Sequence, residues 1–99
     1  MNKLVRDKIP EIIIESGKQC NTRTLTDEEY EYHLKRKLLE EAEEFCNEPT
    51  VEEAADVLEV LYALTHLLGI TMSEIVEARL YKKWERGGFK NKVYLMGKD

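Results

Sequence analysis

Between Thr26 and Cys46 the apolar residues Tyr30, Leu34, Leu38 and Phe45 recur at the spacing of a helix that buries one stripe. Thr26 to Glu29 reads as a capping box that opens this helix, and "NEPT" closes it at Pro49. A second box, Thr50 to Glu53, starts a helix whose stripe is Val57, Val60, Leu61, Leu64 and Leu68, with Gly69 as its stop. A third box, Thr71 to Glu74, predicts a helix reaching about Arg86, where "GG" ends it. Ahead of these, Ile9 to Ser16 fits a short helix with Pro10 in its first turn and Gly17 past its end. The tail "FKNKVYLMGKD", where Val93 and Leu95 alternate with other residues, fits a short strand or an extended arm.

Acids interrupt the pattern. Glu41 falls inside the stripe, since Leu34, Leu38, Glu41 and Phe45 form the i, i+4, i+7, i+11 series that ordinarily carries four apolar side chains. Glu44 lies about 60° round from it. On the next helix Glu53 sits at the near end of the stripe and Asp56 at its edge, whereas Glu43, Glu52, Glu59 and His66 fall on solvated faces. A connection of about four residues favours an antiparallel hairpin. That geometry sets Glu44 level with Glu53, and Glu41 level with Asp56.

Four carboxylates converging in a half-buried place must take up protons, find cations or hold metal ions. Oxygen donors without His or Cys select Mg²⁺ or Mn²⁺ over Zn²⁺. For Glu53 alone a plainer role exists, folding back as the N3 residue of its box onto a backbone N–H.

Composition narrows the class. A chain of 99 residues, 42% hydrophobic and 35% charged with five Gly and two Pro, suits one compact helical domain. A net charge of −5 argues against a nucleic-acid surface. No apolar run approaches the ~20 residues of a membrane span, so a soluble, cytoplasmic protein is expected. Cys20 and Cys46 have no partner at metal-ligand spacing and read as free thiols. Two basic clusters, Lys3, Arg6 and Lys8 at the start and Arg79, Lys82, Lys83 and Arg86 on the last helix, stand out in an acidic chain. Trp84, four residues after Leu80, reads as core.

Glu40-Glu41-Ala42-Glu43-Glu44 followed by Glu53-Ala54-Ala55-Asp56 resembles the E-E-x-x-E and E-x-x-D signature of the all-α nucleoside triphosphate pyrophosphatases, which include MazG-like and phosphoribosyl-ATP pyrophosphohydrolase-like proteins. "KLVRDKIPEII" and "ERGGF" look like a small single-domain branch of that family, extending the resemblance over nearly the whole chain. It implies an all-α fold of four to five helices whose central hairpin completes a four-helix bundle in a homodimer or homotetramer. The implied reaction is Mg²⁺-dependent cleavage of a nucleoside triphosphate between the α and β phosphates, giving a monophosphate and pyrophosphate.

Glu41, Glu44, Glu53 and Asp56 would hold the metal. Glu40 and Glu41 would be the catalytic pair, Glu40 in a supporting or second-metal role. Arg6, Lys8, Lys83 and Arg86 would bind phosphates. House-cleaning of non-standard nucleotides is the expected purpose. Two departures bear on this: the link from Glu44 to Glu53 is shorter than most members have, and Val60 stands where the phosphoribosyl-ATP enzymes usually carry His. The alternatives are a phosphoribosyl-ATP pyrophosphohydrolase and a non-catalytic helical dimerisation or regulatory module.

Overall fold

A computed structural model describes residues 2–97. Its regular structure is entirely helical: α1 (Ile9–Glu15), α2 (Asp27–Asn47), α3 (Val51–Leu67) and α4 (Met72–Arg86). Among the described residues there is no strand, so the stretch carrying Val93 and Leu95 is irregular; Lys98 and Asp99, at the end of that tail, lie outside the described residues. No single described helix is long and apolar enough to cross a membrane.

The caps explain where the helices begin. Thr26 Oγ1 accepts the Glu29 N–H at 3.2 Å and the Glu29 carboxylate accepts the Thr26 N–H at 2.9 Å, satisfying two donors that a helix start leaves open. Arg23 grips the same carboxylate through two bonds of 3.1 and 2.9 Å. That pairing and the Thr26 bonds hold the Glu29 carboxyl down to about 2. Thr71 and Glu74 close the same box at the start of α4, with bonds of 3.1 and 2.9 Å. Gly69 ends α3 at a φ of 76°, a left-handed conformation glycine adopts without a side-chain clash.

The chain divides into two compact units, one ending at Gly69 and the other starting at Ile70. In the first, α2 and α3 pack as a hairpin joined by Glu48, Pro49 and Thr50. Its core is Leu34, Val60 and Leu64, ringed by Tyr30, Leu38, Ala63, Leu67 and, from the N-terminal segment, Leu4. Thr65 is buried beside them, its hydroxyl donating to the Leu61 and Tyr62 carbonyls at 2.9 and 3.2 Å. Phe45 and Leu68, expected in the stripes, are exposed: Phe45 lies in the last turn of α2, and Leu68 is the C-cap just past the end of α3.

Among the described residues of the second unit, α4 is the one helix. Trp84 is therefore not the core residue its spacing suggests: it is 81% exposed, with Tyr81 beside it at 6.1 Å between ring centroids.

Candidate metal centre

Glu41 reaches the site from the C-terminal third of α2, on the face that buries Leu34 and Leu38 against α3. Only 8% of the residue is exposed. Glu53 and Asp56 come from the first two turns of α3, three residues apart and therefore on one side of the helix. Each of these three residues offers a carboxylate oxygen, and the three atoms lie within 4.8 Å of one another. The short connection brings this about, because it starts α3 at the height where α2 ends.

The second box behaves differently from the other two. Thr50 Oγ1 accepts the Glu53 N–H at 3.1 Å, as expected. The reciprocal bond is missing, because the Thr50 N–H donates at 2.9 Å to the carbonyl of Glu48. That i to i+2 bond spans Pro49, whose ring fixes φ in the range such a three-residue turn requires. The Glu53 carboxylate is thus free of capping duty and turns into the acid cluster. Its Oε2 is buried without a hydrogen-bond partner among the described residues.

Electrostatics follow from this crowding. Burial pushes the Glu41 carboxyl above its ordinary range, and the Glu44 and Asp56 charges add to the rise against the Lys37 ammonium one turn earlier. Burial also raises Glu53, followed by the charges of Glu44, Asp56, Glu48 and Glu52. Glu44 is exposed and stands outside the tight group of three, yet its charge bears on both of these acids. Among the described residues, Asp56 is the one acid of the three with a cation in contact: Arg6 Nη2 donates to its Oδ1 at 2.7 Å.

The remaining candidates are not members of this group of three. Glu40 is exposed on another face of α2, lining a shallow groove with Arg36, Leu39 and Glu43. Lys8 is exposed at the N-cap of α1. Lys83 and Arg86 are exposed in the last turn of α4, in the second unit, where Arg86 Nε lies 3.7 Å from Glu85.

Two features escaped the sequence reading. The Arg6 to Asp56 pair joins residues 50 positions apart, which no local spacing announces. The influence of Lys37 was accessible, since it precedes Glu41 by four residues on one helix face.

Three carboxylates, one of them carrying a buried oxygen without a hydrogen-bond partner among the described residues, make a hard anionic donor set. It fits Mg²⁺ or Mn²⁺, which take oxygen ligands, and lacks the His or Cys that favours Zn²⁺. No family model matches the chain, and no solved structure matches it. An uncharacterized protein of Mycolicibacterium smegmatis is 45% identical over 56 residues, and the match spans 57% of this chain and 57% of that protein.

Proposed function

We propose that the chain is a Mg²⁺-dependent nucleoside triphosphate pyrophosphohydrolase that cleaves between the α and β phosphates. The observation that carries this reading is the convergence of Glu41, Glu53 and Asp56 within 4.8 Å, with a buried Glu53 oxygen left unpaired. A buried carboxylate oxygen without a partner costs stability, and a divalent cation is the ligand that relieves it here. The signature residues Glu40 to Glu44 and Glu53 to Asp56 supply the link to triphosphates by resemblance.

In this reading Glu41, Glu53 and Asp56 would hold the ion, and Glu44, at the edge, would add a further oxygen or accept a proton from the attacking water. When bound, the ion would supply neutralisation of the phosphate charge that builds up during cleavage. Arg6 and Lys8 provide the cationic side of the phosphate pocket within the same unit. Exposed Val51, Leu58 and Tyr62 share a face of α3 away from Val60 and Leu64, and support a second copy completing a four-helix bundle.

The test is pyrophosphate release from a panel of nucleoside triphosphates and phosphoribosyl-ATP with Mg²⁺. The expected result is release from triphosphates with wild type and a loss of about 10²-fold or more with Glu41→Gln. Release from phosphoribosyl-ATP alone would assign the biosynthetic reaction. No release from any of them, by wild type and variant alike, would leave the dimerisation module as the better account.

A further inference from the structure

Arg6 stands in the N-terminal segment ahead of α1, fixed to the hairpin by Leu4, which packs against the core two residues earlier. Its guanidinium meets the acid cluster at one point, through Nη2 to Asp56 Oδ1 at 2.7 Å. The pair is open to water, with side chains 55% and 38% exposed. Exposed pairs of this kind are weak and easily exchanged. Glu41 and Glu53, deeper in the cluster, have no cation in hydrogen-bond contact among the described residues.

Asp56 is therefore shared between two uses. It belongs to the group of three that can surround a cation, and it is also the anchor of a guanidinium. A divalent ion among the three oxygens would repel the adjacent guanidinium while drawing Asp56 toward itself. Arginine is always charged, so it cannot answer by losing its proton; it must move.

We propose that Arg6 is a displaceable counter-ion of the metal centre: it neutralises Asp56 while no cation is bound, and cation binding releases its guanidinium to take a phosphate oxygen of the substrate. This rests on the reading of the acids as a cation site. Leu4 keeps the released side chain near the hairpin, and the planar fork of the guanidinium suits phosphate oxygens. Arg6 is in this account a positioning residue for cation loading and a ligand for phosphate afterwards.

The experiment is Mn²⁺ titration of the full chain without nucleotide, for wild type and Arg6→Ala, followed by the electron paramagnetic resonance of free Mn²⁺. Removing a competing cation should tighten Mn²⁺ binding by about 1.5- to 5-fold, the scale of one exposed ion pair. In parallel, the Arg6 Nε–H NMR signal, assigned by its loss in Arg6→Ala, should shift when Mg²⁺ is added. Equal or weaker Mn²⁺ binding by Arg6→Ala, with wild type binding normally, would overturn the exchange and leave the cation site standing. Absence of Mn²⁺ binding in both proteins would overturn the site itself, and the exchange with it. Arg6 is exposed and on no helix, so circular dichroism of the variant should match wild type.

Discussion

Thr50 accepts a hydrogen bond from the Glu53 backbone N–H at 3.1 Å and gives none back to the Glu53 side chain. In the other two Thr-x-x-Glu boxes both bonds are closed. The one acid released from its cap is the one whose carboxylate stands with Glu41 and Asp56.

Replacing Glu41 by Leu should therefore stabilise the metal-free protein while removing the site. Glu41 is 8% exposed and its carboxylate is crowded by Glu53 and Asp56, so an apolar residue of similar volume is expected to raise unfolding free energy by roughly 1–3 kcal/mol at neutral pH. Urea unfolding in the presence of a chelator measures it. A fall in stability would mean that Glu41 is already well compensated.

Cation binding should stabilise the wild type in return. At a Mg²⁺ concentration of about 100 times the dissociation constant, the gain is about 2.7 kcal/mol. Thermal unfolding with and without Mg²⁺ should show the shift in wild type and little of it in Glu53→Gln. An equal shift in both proteins would place the bound ion elsewhere.

The pH dependence should have two windows of opposite sign. Glu41 and Glu53 have carboxyls raised above the ordinary value of 4.5 in the folded chain, so the native state binds their protons more readily than the unfolded chain does. Their contribution to stability grows as pH falls from neutral toward 4.5. Glu29 is the reverse case, lowered to about 2, so its contribution is present above 4.5 and is lost as pH falls from there toward 2. Chelated protein should thus gain stability on mild acidification and lose it on further acidification. Glu41→Gln should flatten the first limb, and Arg23→Ala the second.

Leu34→Ala tests how little core the chain has. Leu34 is 3% exposed and touches both helices of the hairpin, and its truncation is expected to cost about 2–5 kcal/mol. Among the described residues only Val60 and Leu64 join it as buried apolar partners, so that loss should leave a large unfolded fraction at 37 °C, visible by circular dichroism.

The helices were legible almost to the residue, because each long one begins with a Thr-x-x-Glu box and α3 ends at a glycine with positive φ. The placement of Glu41 was legible as well, since a charge in a regular apolar stripe has a direction fixed by the 3.6-residue turn. The behaviour of Glu53 was not, because three boxes of the same form have two outcomes; the difference lies in a turn across Pro49 that redirects one N–H. Arg6 is harder still, its partner being set by how the N-terminal segment lies on the hairpin. Trp84 was misjudged because helical spacing tells which residues share a face, not whether anything covers it.

The attachment of the N-terminal segment has a practical side. Leu4 and Arg6 join the hairpin through one apolar contact and one ion pair, so a proteolytic cut before Asp7 would remove both at once. A clipped protein would keep every carboxylate of α2 and α3 while carrying a more negative acid cluster and an uncovered patch on its core. Preparations that differ only in their first few residues should then differ in how tightly they take up metal, and intact mass is the quantity to check before their affinities are compared.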